Sequence, residues 1–407
     1  MDEMILKLKR FFPERLHASI FLVGGMVRDI LLGVRCQDVD LAAALPASEL
    51  TSLGFRLVES KSTPNIYFLF HKEFGKVEIT WLPSVAALAD DLSRRDFTIN
   101  AMAMPLSFDG TINDPLNGRK DLANRVLRTC TPTSLTDDPL RIFRAFRFEC
   151  EGWRLDSQAE EILANIDWSG RFQQVPVERF SQELLKGMTK EDPARFFRRM
   201  LQFRIGANFL PEIFEMAELP AGPLQHHPEG DLFTHSMQVL ERMALLTPDG
   251  TARFCALFHD LGKLHTPAEH HPKHHGHDAL GADAVPAFCK RLRLPTLLQR
   301  ALQATNRLHT TANRWDELRD ATKIKLALNA MKGGIEAFLP LQVAADCGGT
   351  MPGWDEALRV ASLNAAQLGI DRALLDNKEF PPEKLQQIIM QHRVEVFRKG
   401  SPHLPAR

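Results

Sequence analysis

The chain has 407 residues, 44% of them hydrophobic and 25% charged, and a formal net charge of −1. That length exceeds one ordinary core and implies two or more domains, while the lack of any apolar run of spanning length excludes a helical membrane anchor, and the near-zero charge excludes a globally basic nucleic-acid binder. Six scattered cysteines with no CxxC pair or zinc-ligand spacing read as reduced packing residues, and residues 1–10 carry no signal-peptide core, so a cytoplasmic protein is expected.

In chain order, Ile5, Leu6, Leu8, Phe11 and Phe12 predict a short amphipathic helix that Pro13 interrupts. Leu22-Val23-Gly24-Gly25-Met26-Val27-Arg28-Asp29 reads as a strand, a glycine turn and a helix that stops at Gly33. A second strand, Val39 to Ala43, follows Asp38 and carries Asp40. Side chains two apart on a strand share a face, so these two carboxylates can grip one divalent cation. Gly24-Gly25 lets the backbone approach a triphosphate, with helix N–H groups and Arg28 available to it. Residues 55–82 hold three more short apolar runs, which makes a sheet of about five strands. Glu78, on the last of these, is either a solvent-face strand residue or an auxiliary carboxylate near the metal.

Arg94-Arg95-Asp96 comes next. Alone it is an exposed charge cluster. After a glycine turn and an Asp-x-Asp strand it also supplies two cations to neutralise a triphosphate and a carboxylate to accept from a ribose hydroxyl. Residues 111–122 read as structural punctuation. In Asp137-Asp138-Pro139-Leu140-Arg141, Asp138 is placed as an N-cap with proline at the first helical position, and Arg141, Arg144 and Arg147 form a basic stripe. Two readings stand here: a capped helix with a solvated arginine face, or a fixed Asp and Arg presenting hydrogen-bonding edges to a nucleobase.

Taken together, Gly24-Gly25-x-x-Arg28-Asp29, Asp38-x-Asp40, Arg94-Arg95-Asp96 and Asp137-Asp138-x-x-Arg141 resemble the signature motifs of bacterial (class II) tRNA nucleotidyltransferases and their poly(A) polymerase relatives. The match covers about the first 200 residues and includes Val175-Pro176-Val177-Glu178-Arg179. It implies an α+β fold: a polymerase-β-like head followed by an all-α neck, body and tail. The corresponding divisions are a nucleotidyltransferase head at 1–136, a neck for nucleotide selection and RNA binding at 137–222, a body at 223–350 and a tail at 351–407. The resemblance further implies Mg²⁺ on Asp38 and Asp40, triphosphate contacts from Gly25, Arg28 and Arg95, nucleotide binding by Asp96 and Arg144, and Asp138 with Arg141 as a protein template for CTP or ATP. Asp137 stands where the family often has Glu. The short stretch from Trp81 to Leu88 leaves little room for the flexible loop of relatives that add the full CCA, so an enzyme adding only the two cytidines is the alternative.

Residues 150–220 read as Arg- and Phe-rich helices in which Arg195, Arg198 and Arg199 could meet RNA backbone or simply face solvent. Beyond Leu224 come His235, His259-Asp260, a histidine-rich run from His270 to His277, His309 and Asp346. An adjacent His-Asp pair on a helix, joined by distant His and Asp residues, supplies ligands for a divalent or transition metal with room for a hydrolytic water. This segment resembles an HD-type metal-dependent phosphohydrolase domain. The resemblance implies His235, His259, Asp260 and Asp346 as ligands of a divalent metal (Ni²⁺, Mn²⁺, Co²⁺ or Mg²⁺), with His274, His275, His277 and His309 as secondary candidates for a second metal or for phosphate.

The expected function is template-independent addition of CMP and AMP to tRNA 3′ ends from CTP and ATP with Mg²⁺, alongside HD phosphohydrolase activity, in a monomer or homodimer that does not engage membranes. A different class of reading makes the chain chiefly a phosphohydrolase acting on 2′,3′-cyclic phosphates or 2′-nucleotides. A non-catalytic RNA-binding module would leave both carboxylate clusters without a purpose.

Overall fold

A computed structural model describes residues 3–34, 36, 39–58, 65–107, 110–370 and 381–400. The chain divides into two compact units, Met1–Arg171 and Phe172–Arg407.

The first unit is built on a mixed six-stranded sheet in the order β3-β4-β5-β2-β1-β6. Its strands are β1 (Ile20–Val23), β2 (Val39–Ala43), β3 (Arg56–Val58), β4 (Ile66–His71), β5 (Gly75–Trp81) and β6 (Ala103–Pro105). Only β2 and β5 run parallel; the neighbours on either side are antiparallel. The sheet therefore has one more strand than the five expected. The addition, β6, is a three-residue edge strand paired with β1, too short to show any alternation.

Phe21, Val23, Ala42, Ala101 and Ala103 form a buried layer on one face, closed by Leu82, Leu88 and Leu92. Leu88 and Leu92 lie four apart on the short helix Leu88–Ser93, so its apolar side seats on the sheet while its C-terminal end delivers Arg94 and Arg95. Asp40 shares its face of β2 with Ala42 of this layer. Packing thus places the arginines on the side of the sheet that carries Asp40.

The helix Leu140–Glu149 packs into the same unit, with Phe148 edge-on to Phe97 at 6.0 Å. Its expected basic stripe is only partly realised. Arg147 is 9% exposed and lies over the Phe148 ring at 4.3 Å, because the helix is covered on that side too.

The second unit is helical. Its helices include Leu232–Leu246, Gly250–Leu257, His277–Arg291, Thr296–Asn313 and Leu339–Cys347. The buried Arg253 ties loop ends together, giving its guanidinium hydrogens to the carbonyls of Met188, Lys190, Thr247 and Ala244. No described helix is long and apolar enough to cross a membrane.

Candidate functional site

Gly24 caps the helix Gly25–Leu32 with φ 67°, a conformation that L side chains rarely adopt. A Cβ there would sit 2.9 Å from Arg95 Nη1 and 3.6 Å from Asp40 Oδ2. The glycine turn, the β2 carboxylate and the second arginine therefore converge within van der Waals reach. Asp38 lies outside the described residues. Register places Glu78 of β5 directly beside Asp40, on the same sheet face, where it also pairs with Lys76.

Arg28, Arg94 and Arg95 are each held by a carboxylate. Asp91 accepts from Arg94 at 3.0 Å and Arg95 at 2.9 Å. The buried Arg95 Nε has no hydrogen-bond partner among the described residues. Arg28 gives hydrogens to Asp29 at 2.7 and 3.0 Å and to Asn100 Oδ1 at 2.7 Å. Its guanidinium lies against Gly25, whose missing Cβ would be 3.4 Å away.

Asp96 is buried, and protein groups engage both of its oxygens. Oδ1 accepts from Phe97 N and Asn100 Nδ2, and Oδ2 from Arg144 Nε. Burial alone would raise its pKa, but Arg144 and these hydrogen bonds outweigh it and hold the carboxyl at about 2. Arg141 donates from Nη1 to Ser134 Oγ at 2.6 Å and from Nη2 to the Arg94 carbonyl at 2.6 Å. Asp138 is half-buried just before the helix, where its Oδ1 accepts from Leu140 N at 3.2 Å, so the capping role falls to it one position ahead of Pro139. Asp137 is exposed and accepts from Thr133.

The second unit gathers His235, His259, Asp260, His277, His309 and Asp346. His259-Asp260 does not sit on a helix as expected, but in the tight turn after Gly250–Leu257. His235 Nε2 and His259 Nε2 lie 3.3 and 3.5 Å from Asp346 Oδ1, and His259 Nε2 is 3.2 Å from Asp260 Oδ2. The other nitrogen of each ring is engaged: His235 Nδ1 with Glu229 at 2.8 Å, His259 Nδ1 with the Ala256 carbonyl at 2.8 Å. Both Nε2 atoms are thereby turned inward. They are buried and lack hydrogen-bond partners among the described residues, as does Asp260 Oδ1. Inward imidazole nitrogens facing buried carboxylate oxygens are a donor set that fits a divalent cation.

In the absence of a cation, burial disfavours a charged His259, yet Asp260 and Asp346 win and push its pKa up to about 10. Burial likewise opposes charge on the two aspartates. Lys263 and then His259 nevertheless hold Asp260 well below the carboxylate range, and His259 does the same for Asp346. Of the secondary histidines, His277 and His309 join the cluster. His274 is buried between Thr266 and the Pro220 carbonyl, and His275 is exposed.

Four contributors escaped the sequence reading. Asp91 was within reach of it, since its spacing of three and four from Arg94 and Arg95 is helix-pair spacing. Asn100, Ser134 and Glu229 act through contacts that only the fold creates.

Three family models match the chain: the poly(A) polymerase head domain over 20–83 and 70–128, the probable RNA- and SrmB-binding site of polymerase A over 160–216, and the HD domain over 232–331. The multifunctional CCA protein of Hahella chejuensis is 35% identical over 360 residues, 83% of each chain, and that of Haemophilus influenzae is 35% identical over 76% of this chain and 79% of its own. The chain belongs to the multifunctional CCA protein family. It is thus a nucleotidyltransferase with an HD domain, as the motifs imply.

Solved CCA-adding enzymes share the fold of this family member. An apo form aligns with TM-score 0.67 at 21% identity over 98% of this chain and 92% of that one. The Thermotoga maritima enzyme complexed with tRNA aligns with TM-score 0.66 at 20% identity over 100% and 94%. The connection from Trp81 to Arg94 is indeed short and largely helical. Family membership nevertheless does not favour an enzyme that stops after two cytidines, or one that is chiefly a phosphohydrolase. The HD model ends before Asp346, which the fold returns to the cluster on the helix Leu339–Cys347.

Proposed function

We propose that the chain builds and repairs the CCA end of tRNA in the cytoplasm, adding CMP and AMP from CTP and ATP. The observation that carries this reading is the convergence of Gly24, Asp40 and Arg95, three groups from separate motifs, at one end of the sheet. Asp40, with Glu78 beside it in register, and Asp38 are all-oxygen donors that suit the hard cation Mg²⁺. When bound, Mg²⁺ lowers the pKa of the attacking ribose hydroxyl and neutralises charge on the phosphates.

The remaining steps belong to the chain's own groups. Gly24-Gly25 and the N–H groups of the helix they open accept the triphosphate, and Arg95 and Arg28 offset its charge. Arg141, fixed by Ser134 and the Arg94 carbonyl, presents donors to the nucleobase edge beside Asp138. Asp96 acts by holding Arg144 in place, since its oxygens are already engaged within the protein.

In the second unit His235, His259, Asp260 and Asp346 would hold a divalent cation, and the mixed imidazole and carboxylate set favours Ni²⁺, Co²⁺ or Mn²⁺ over Mg²⁺. Such a cation supplies a hydroxide nucleophile and Lewis acidity toward a phosphate ester. The substrate class proposed is 2′,3′-cyclic phosphates or 2′-nucleotides. Within the two compact units, the finer divisions at 136, 222 and 350 form part of the same proposal.

The test is to incubate the full chain with tRNA ending at its discriminator base and CTP, ATP or both, and to size the products to one nucleotide. Three added residues with both nucleotides, abolished by Asp40→Asn, support the proposal. Growth that stops after two residues, or persists in the variant, overturns it. For the HD site, His259→Ala should abolish metal-dependent hydrolysis of 2′,3′-cyclic AMP.

A further inference from the structure

Alternation along β4 and β5 separates two faces of the sheet. Tyr67, Val77 and Ile79 are buried on one; Phe68, Phe70, Lys76, Glu78 and Thr80 occupy the other, and none of these five is buried. Register makes the open face the one that carries Asp40. Asp40 lies opposite Glu78, Glu78 opposite Phe68 and Phe68 opposite the exposed Arg56, so one row crosses β2, β5, β4 and β3. Strands about 4.8 Å apart set the backbone of Phe68 roughly 10 Å from that of Asp40.

A second pair stands beside this row, with Phe70 opposite Lys76. Phe70 is 72% exposed, and its ring meets that of Phe68 edge-on at 5.9 Å. A lone exposed apolar residue needs no explanation. Here two rings share one open face and each has a cation as its cross-strand neighbour, although Lys76 is shared with Glu78. Rings on which bases stack, beside cations that follow the phosphates, are the means by which proteins hold single-stranded nucleic acid.

The two flanks of Asp40 decide what belongs on this face. Gly24 and Arg95, assigned above to the triphosphate, meet Asp40 from the β1 side of β2, whereas the open row leaves it on the β5 side. Nucleotidyl transfer forms the bond from the ribose 3′ oxygen to the α-phosphorus roughly in line with the bond to pyrophosphate that breaks, on the opposite side of the phosphorus. With the pyrophosphate toward β1, the attacking hydroxyl and the RNA behind it arrive from β5.

Resting on the nucleotidyltransferase reading above, we propose that Phe68 and Phe70, with Arg56 and Lys76 beside them, seat the single-stranded 3′ end of the acceptor RNA. The bases next to the reacting hydroxyl stack on the two rings. Such a seat is indifferent to sequence, since every base has a π face, and this suits an RNA end whose last base changes with each addition.

The test measures single CMP addition to tRNA by the full chain and by Phe70→Leu, Phe70→Trp and the double variant Phe68→Leu/Phe70→Leu. Leucine keeps the apolar bulk and removes the ring. KM for tRNA is expected to rise about tenfold in Phe70→Leu and further in the double variant, with KM for CTP moving less than about twofold, and Phe70→Trp should restore the tRNA value. Circular dichroism verifies folding. An independent readout needs no substitution: tRNA carrying 5-iodocytidine as its last residue, irradiated on the wild-type chain, should crosslink within residues 66–71. A wild-type chain that extends tRNA while the double variant keeps its KM for tRNA would overturn the seat and leave the nucleotidyltransferase reading standing. A parallel rise in both KM values, or a crosslink confined to other segments, would overturn the seat too. Loss of a dimer in sedimentation with an unchanged KM for tRNA would make this face a contact between copies instead. No extension of tRNA by the wild-type chain would overturn both readings.

Discussion

Arg144 grips Asp96 through two nitrogens, Nε and Nη2, each 2.8 Å from the same carboxylate oxygen. Asp96 is 8% exposed, so removing the guanidinium strands a buried charge. Arg144 is itself about a third exposed, which moderates the loss. Arg144→Met is expected to destabilise the chain by roughly 2–3 kcal/mol in urea denaturation.

The same pair sets an acid-side dependence. The folded pKa of Asp96, about 2, lies below its ordinary value of 3.8. Its contribution is therefore fully present above pH 3.8 and is lost as pH falls through about 2, on the order of 2 kcal/mol in total. In Arg144→Met the carboxyl no longer resists protonation. The stability gap between wild type and variant should narrow as pH is lowered from 5 to 2, as read by urea midpoints across that range. A constant gap would mean that Asp96 is not held by Arg144.

Gly24→Ala tests the convergence at the sheet end. A Cβ must displace Arg95 from 2.9 Å, and φ 67° adds strain of about 1–3 kcal/mol. Nucleotide addition is expected to fall at least about a hundredfold in kcat, a scale typical of a lost donor to developing charge. The fold should be retained in circular dichroism.

How much of this was legible before any coordinates depends on whether the determinant is local. The glycine turn, the helix stop at Gly33 and five of the six strands follow from alternation and turn residues close together in sequence. β6 does not, because Ala103–Pro105 is a strand only by virtue of pairing with β1. Asp40 and Arg95 could be named as site residues, but the sequence reading had Asp96 facing a ribose. Its sequestration by Arg144, 48 residues away, is a tertiary event. Likewise the histidine-rich run could be flagged as unusual, yet nothing within it separates His277, which joins the cluster, from His274, which is buried against Thr266 and Pro220. Ser134 and Glu229 carry no local signal at all.

If Arg141 reads the nucleobase as proposed, Ser134 is a positioning residue for it. Its Oγ accepts from Arg141 at 2.6 Å while Arg141 keeps a second anchor on the Arg94 carbonyl. Ser134→Ala should leave Arg141 present but looser. The expected outcome is about a tenfold lower kcat/KM for CTP and ATP, about 1.4 kcal/mol. Misincorporation of UTP and GTP should rise, measured by single-nucleotide extension assays. A stability loss with unchanged selectivity would assign Ser134 a packing role only.

Cation binding in the HD unit should be coupled to proton release. Without a cation, His259 is held protonated by Asp260 and Asp346, with its pKa pushed up to about 10 against an ordinary 6.5. That charge stabilises the cation-free fold fully below pH 6.5, and the contribution is lost as pH rises through about 10. A metal ligand must surrender its proton, so apparent affinity should rise about tenfold per pH unit between 7 and 9 if one proton is displaced. Calorimetric titration of the chelator-stripped protein with Co²⁺, in buffers of different ionisation enthalpy, counts the released protons directly. Glu229→Gln removes the carboxylate that orients His235 through Nδ1 at 2.8 Å, and should weaken binding about 10- to 100-fold. Proton release should persist in that variant, because His259 and its two aspartates are untouched. A Co²⁺ affinity independent of pH would show that the imidazole is already neutral, with its lone pair free before the cation arrives.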